Sequence, residues 1–217
     1  MFTGLIEATG KILSVEQRPG TMRIAIEAPG IAEKLHTGDS VAVSGVCLTA
    51  LDIASPVFHA DLAAETIART SLAQLAAGSM VNLELPTPAG APLGGHVVQG
   101  HVDAAGTVVA LNPVDPTADR AIADWWLEVE VPETVRPFMV EKGSVAIEGI
   151  SLTIARWDGQ TASVAILPHT YTATNLHALT AGSRVNLEAD VLVKLMVERQ
   201  RATTFDLTLE YLIANGY

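Results

Sequence analysis

Cys47 in the run GVCLT and Ser151 in the run GISLT stand at the same place in two copies of one short motif. A thiol and a hydroxyl can each add to an electrophilic ring carbon or polarise it. Thr49 and Thr153 follow them at matched positions, and Thr66 and Thr170 form a further matched pair. Two equivalent polar pockets predict two similar ligands. Other chemistries are poorly supported. No phosphate loop, G-x-G-x-x-G turn, C-x-x-C, H-E-x-x-H or G-x-S-x-G motif occurs. His96 and His101 lie five residues apart, which in a strand puts them on opposite faces and makes them poor co-ligands for a metal. Neither a metal nor a cofactor is expected.

The elements that must position these residues repeat as well. MFTGLIEATGKI at Met1 matches VVQGHVDAAGTV at Val97, so Gly4, Ala8 and Gly10 fall on Gly100, Ala104 and Gly106. SVAVSGVCLT matches SVAIEGISLT, and the stretch from Thr66 to Glu84 matches Thr170 to Glu188. The offset drifts from 96 to 104 residues, so the second copy carries an insertion, placed in LNPVDPTADRAIADWW after Leu111. Three matches in the same order indicate a duplicated domain: residues 1–96, then 97–190, then a tail over 191–217.

Each copy reads mainly as strands. GKILSV, TMRIAIEA, DSVAVSG and VCLTALDI are short runs rich in Val, Ile, Leu and Thr, bounded by Gly, Pro or Asp. MVNLELP and RVNLEAD alternate as half-buried strands should. Six strands with Gly turns predict a small antiparallel Greek-key barrel in each copy. SLAQL and NLHAL predict single helical turns, with Ser71 and Asn175 as N-caps. In the tail, Leu192, Leu195, Met196 and Arg199 form one helical stripe. Thr203 or Thr204 interrupts it, and DLTLEYLIANG then predicts a second short helix closed by Gly216. The stripe packs either back onto the second barrel or against other subunits.

Composition narrows the partners. Of 217 residues 49% are hydrophobic and 17% charged, which hints at apolar surface buried between subunits. A net charge of −11 without a basic run disfavours nucleic acid and anionic membrane surfaces. One cysteine excludes an internal disulfide. No window approaches the ~18 apolar residues of a membrane span, and MFTGLIEATG lacks the layout of a signal peptide. A soluble cytoplasmic protein is the expectation.

MFTG, GVCLT, GHVD, GISLT and the twin GxxVNLE strands, in order along essentially the whole chain, resemble riboflavin synthase. The resemblance implies conversion of two molecules of 6,7-dimethyl-8-ribityllumazine into riboflavin and 5-amino-6-(ribitylamino)uracil, without cofactor or metal. It implies a homotrimer held by C-terminal helices, with each active site between the N-terminal barrel of one subunit and the C-terminal barrel of the next. Association with lumazine synthase is a further implied partnership. The substrate is flat, polyhydroxylated and free of phosphate, which suits backbone groups and Ser or Thr hydroxyls.

By the same resemblance, the candidate catalytic residues are Phe2, Cys47, His101, Lys142, Ser151, Thr153 and Asp190. From the first copy and its junction, the implied substrate contacts begin with Thr3, Gly4, Leu5 and Ile6. Cys47, Leu48 and Thr49 follow, then Asp61, Leu62, Ala63, Ala64, Glu65 and Thr66, then Gly100, His101 and Val102. The second copy supplies Lys142, Ser151, Leu152, Thr153, Ala165, Ile166, Leu167, Pro168, His169 and Thr170. One lumazine must lose a proton from its C7 methyl while the other gains and then loses a nucleophile. His101 is assigned the proton, since imidazole titrates nearest neutrality. Cys47 adds to or polarises a ring carbon. Ser151 and Thr153 hydrogen-bond the second pteridine, Lys142 and Asp190 steer charge there, and Phe2 positions a ring. Glu148 stands where some members carry Asp, so the carboxylate is kept.

Plainer roles exist for each: core packing for Cys47 and Phe2, a satisfied strand-end imidazole for His101, strand positions for Ser151 and Thr153, solvated charges for Lys142 and Asp190. A non-catalytic lumazine or flavin carrier of the same family and an electron-transfer flavoprotein are the competing readings.

Overall fold

The computed structural model describes residues 1–203. The first copy folds as strands β1 (Ala8–Arg18), β2 (Thr21–Glu27), β3 (Ser40–Val43), β4 (Val46–Thr49), β5 (Leu51–Ala54), β6 (Val57–Ala63) and β7 (Met80–Glu84), with helix α1 (Ala64–Arg69) before the last strand. The second copy repeats this as β8 (Ala104–Pro113), β9 (Trp125–Glu130), β10 (Ser144–Ile147), β11 (Ile150–Trp157), β12 (Thr161–Ile166), helix α2 (Pro168–Ala173) and β13 (Arg184–Ala189), followed by helix α3 (Val191–Thr203).

The second sheet closes into a six-stranded barrel in the order β10-β11-β12-β9-β8-β13, with the crossings of a Greek key. The first sheet runs β4-β3-β7-β1-β2-β6-β5. Its two end strands are consecutive in the chain. The run VCLTALDI breaks at Ala50, and Asp52 takes a left-handed conformation at φ 41°. In the second copy the matching residues stay in one bent strand, β11, so six strands there do the work of seven. The expected insertion lies in the hairpin between β8 and β9, where residues 114–124 replace the two-residue turn between β1 and β2.

Alternation fills each barrel from within. Ile12, Ile24, Ile26, Phe58, Leu62, Val81 and Leu83 meet in the first core. Trp125, Leu127, Val129, Ile154, Val164, Ile166 and Leu187 meet in the second, with Trp125 stacked on Tyr171 at 4.0 Å between ring centroids. Fully burying one such aliphatic side chain is worth about 1.5–3 kcal/mol.

The twin VNLE strands depart from the alternation expected of them. Asn82, Glu84, Asn186 and Glu188 are all 4% exposed or less. Their polar face is covered by the other barrel. Asn82 Nδ2 donates to the Glu148 carbonyl at 2.9 Å and to Asn175 Oδ1 at 2.8 Å, and Asn82 Oδ1 accepts from the Asn175 N–H at 2.7 Å. Asn186 Nδ2 donates to the Ser44 carbonyl at 2.8 Å, and Asn186 Oδ1 accepts from the Ser71 N–H at 2.7 Å. Each barrel thus caps a helical turn and a β-turn of the other. Ser71 and Asn175 are therefore the first residues of their turns. The N-caps are Thr70 and Thr174, and only Thr174 caps with its side chain, accepting from the Leu176 N–H. Glu148 completes the clasp, wholly buried, accepting from the Asn186 N–H, Asn175 Nδ2 and Ser71 Oγ.

Helix α3 begins against the second barrel. Lys194 Nζ lies 2.7 Å from Asp103 Oδ2, and Asp190 Oδ1 accepts the Leu192 N–H. Yet Leu192, Leu195 and Met196 of the predicted stripe stay 60%, 62% and 69% exposed. The second tail helix and its Gly216 lie outside the described residues.

Replacing Asn186 by Ala orphans the Ser71 N–H and the buried Ser44 carbonyl. The Asn186→Ala variant is expected to lose about 2–4 kcal/mol of unfolding free energy in a denaturant titration. A loss under about 0.5 kcal/mol, the scale of an ordinary surface change, would contradict the clasp.

Candidate active site

Each barrel opens with a short segment that lies in the seam between the two. Phe2 and Val98 form an antiparallel bridge there, with N–H···O distances of 2.8 and 3.1 Å. Two residues further on, each segment reaches the other barrel. The Ser151 N–H donates to the Gly4 carbonyl at 2.8 Å, and the Cys47 N–H donates to the Gly100 carbonyl at 2.9 Å. Gly4 and Gly100 have φ +74° and +78°. A Cβ on Gly4 would sit 2.7 Å from Ser151 N, and one on Gly100 2.8 Å from Cys47 N. Glycine is required at both, by the left-handed backbone and by the close approach.

A carboxylate from each VNLE strand holds its own opening segment. Glu84 Oε1 accepts from the Thr3 N–H at 2.6 Å and Thr3 Oγ1 at 2.8 Å, and Glu84 Oε2 from the Gly4 N–H at 3.0 Å. Glu188 accepts from the N–H groups of Gln99, Gly100 and His101 at 2.7, 2.9 and 3.0 Å. Burial pushes both carboxyls above their ordinary range, and the backbone donors pull them back. Neither glutamate was singled out from sequence, although both recur at one place in the twin motif.

The arrangement gives two related cradles, crossed between the barrels. Gly4, Leu5 and Ile6 join Ser151, His169 and Thr170 in a cavity of about 320 Å³. In the other cradle Gly100 meets Cys47. Cys47 and Thr49 share the outward face of β4, and Ser151 and Thr153 that of β11, because Leu48 and Leu152 point into the cores. Leu62 and Ile166 also point inward, so these four leucine and isoleucine residues have only backbone left for a ligand. Ala63 and Leu167 lead into α1 and α2, and Ala64 and Pro168 open those helices. Val102 is half-buried against the first core, and Ile6 packs on the second.

Several expected residues have structural employment. Phe2 is fully buried with Ala42, Val98 and Ala146 and packs on Cys47, so it fixes the seam rather than facing a ligand. Asp61 pairs with Arg23 at 2.7 Å, and Glu65 pairs with Arg69. Asp190 caps α3. His101 is exposed, with its backbone fixed by Glu188. Ala165 is exposed at the matching position to Asp61. Lys142 is exposed and lies outside the Ser151 cavity, its Nζ 3.4 Å from the Ala155 carbonyl. Lys142 takes φ +66° where the first copy has Gly38 at φ +99°. A non-glycine residue there costs roughly 1–2 kcal/mol, which favours a use for the side chain.

His96 lies beside the Ser151 hydroxyl, with Nδ1 2.7 Å from Oγ. Spacing alone gave no reason to pair it with Ser151, since the link crosses the seam.

Glu188→Ala should release the Gln99, Gly100 and His101 amides to fast hydrogen exchange while Thr3 and Gly4 stay protected. Equal loosening of both segments would reject independent clamps.

The comparisons with known proteins agree with this geometry. A family model described as the lumazine binding domain matches residues 3–86 and again 99–190. The chain is 39% identical to a riboflavin synthase of Mycobacterium tuberculosis (strain ATCC 25618 / H37Rv) over 208 residues, covering 93% of this chain and 99% of that one. It is 36% identical to the riboflavin synthase of Bacillus subtilis (strain 168) over the full length of both. Among solved structures, LumP complexed with 6,7-dimethyl-8-(1'-D-ribityl) lumazine matches with a TM-score of 0.77 and 25% identity, over 87% of this chain and 99% of that chain. The chain belongs to the lumazine-binding-domain family, as a tandem of two such domains.

Proposed function

We propose that this chain has riboflavin synthase activity: it transfers a four-carbon unit between two molecules of 6,7-dimethyl-8-ribityllumazine, giving riboflavin and 5-amino-6-(ribitylamino)uracil. The observation that carries this reading is the pair of crossed cradles, Gly4 against Ser151 and Gly100 against Cys47, alike in backbone and unlike in side chain. A reaction between two like molecules needs two like sites that treat them differently.

The cradles also bear on assembly. Gly4 and Gly100 leave the antiparallel Phe2–Val98 bridge in opposite directions, which separates them by on the order of 10 Å. Two lumazines that exchange carbon must be in contact. Sites on one chain are poorly placed for that, so the reacting pair is assigned to the first barrel of one subunit and the second barrel of the next. The exposed Leu192, Leu195 and Met196 stripe then joins subunits of a homotrimer. Holding two reactants in register is worth up to ~7–11 kcal/mol in well-oriented cases.

Within that site, His101 carries the methyl proton, Cys47 engages one ring and Ser151 with Thr153 the other. Lys142 and Asp190 set the charge around the acceptor. The reaction is placed in the cytoplasm, where Cys47 stays a free thiol. Among the described residues, no helix is long and apolar enough to cross a membrane.

The protein incubated with the lumazine alone is expected to produce riboflavin fluorescence, one riboflavin for each two lumazines consumed. Tight binding without product would favour the carrier reading, for which the likeness to LumP speaks. Truncation after Asp190 is expected to lower the mass in solution to that of a monomer and to abolish turnover while leaving each barrel folded. An unchanged mass would reject the tail as the trimer contact.

A further inference from the structure

His96 is brought to Ser151 by a close approach of the linker between the barrels to the first opening segment. At Gly95 a Cβ would fall 2.0 Å from the Thr3 carbonyl oxygen and 2.9 Å from Ser151 Cβ. The His96 N–H donates to that same carbonyl at 3.2 Å. The linker is therefore pressed into the seam, and the imidazole comes to rest with Nδ1 2.7 Å from Ser151 Oγ. Its other nitrogen, Nε2, is buried and has no hydrogen-bond partner.

These facts select one arrangement of protons. Burial holds the imidazole below its ordinary pKa, against the pull of the Asp190 charge, so the ring is neutral near pH 7. A neutral ring carries one N–H. If Nδ1 accepted from Ser151, that N–H would sit on Nε2, buried and unpaired. A buried orphan donor is the rarer fault. With the proton on Nδ1, the imidazole donates to Ser151 Oγ and the hydroxyl proton is left free. Ser151 also lines the cavity with Gly4, His169 and Thr170.

We infer that His96 is a positioning residue that fixes the Ser151 hydroxyl as a hydrogen-bond donor into the second-barrel cavity, where it takes a ring nitrogen or carbonyl oxygen of a planar heterocycle. Cys47, at the matching place, has no hydrogen bond to its Sγ among the described residues, and a thiol is a weak donor. The two cradles therefore grip their ligands unequally. The second polarises its ring through a strong, oriented donor and the first does not. This inference rests on the riboflavin synthase reading for its substrate.

The test is a double-mutant cycle on turnover in the full chain, with melting temperature followed alongside. His96→Ala and Ser151→Ala are each expected to lower kcat about tenfold, the scale of one oriented hydrogen bond. His96→Ala in the Ser151→Ala background is expected to add less than about twofold, since the route through the hydroxyl is already gone. Losses that multiply would overturn the proposal. Should His96→Ala fail to fold, two amides replace it. The side-chain nitrogen of His96→Asn falls near the lost Nδ1 and that of His96→Gln near Nε2. Asn is expected to retain most activity and Gln to lose it; equal or reversed activities would overturn the proposal. If the wild-type protein makes no riboflavin, the functional reading fails separately, and the same cycle is read in lumazine affinity by fluorescence titration.

Discussion

The structure depends on a reciprocal exchange across the seam. Each barrel sends its opening segment to the other and accepts one in return, and a buried carboxylate holds each segment at its root. Asn82 and Asn186 repeat the exchange one layer deeper, each capping elements of the opposite barrel. The two carboxylates and two amides at the centre of the exchange are buried, so none tolerates a missing partner. Many directional bonds therefore join the barrels. Phe2, Ala42, Val98 and Ala146, with Cys47 beside them, form a small apolar patch in the seam, and Ile6 and Val102 each pack on the opposite core. Directional bonds also fix the placement of Ser151 and Cys47.

Much of this was legible in the sequence. The tandem repeat, the strand runs, the insertion between β8 and β9 and the matched Cys47–Ser151 pair followed from residue pattern, because each copy buries its own core by a period-two rule. The partners across the seam were not legible. Asn82 and Glu84 sit on the polar side of an alternating strand, which for an isolated barrel means solvent. With a second barrel on that side the same residues are buried, Asn82 at 1% and Glu84 at 4% exposure. Their recurrence in both copies was the available signal, since surface positions have no reason to match. His96 was hidden for a related reason. Its partner Ser151 lies 55 residues away, in a different barrel, and no period connects them.

The two copies also differ, and some of the differences fall at the cradles. Ser151 has an imidazole and Cys47 has none. Leu5 stands where the second opening segment carries His101, and Gly38 where Lys142 holds a left-handed turn. The cores that surround these positions remain similar in shape, with barrels of like order around β1 and β8. Scaffold and chemistry are thus kept on separate residues. The inward side of each strand maintains the barrel, the matched Asn and Glu residues hold the seam, and the other outward positions were free to become unlike.

The crossed opening segments bear on ancestry. Two separate copies of one such barrel could exchange their first residues in the same way and would make a symmetric dimer with two identical cradles. In that dimer any substitution appears in both cradles at once, so neither can specialise. Joining the copies end to end leaves the contacts in place and removes that restriction, and the joining peptide itself, through His96, becomes one of the differences. The linker is then more than a tether: it is the first asymmetric part the fused protein acquired.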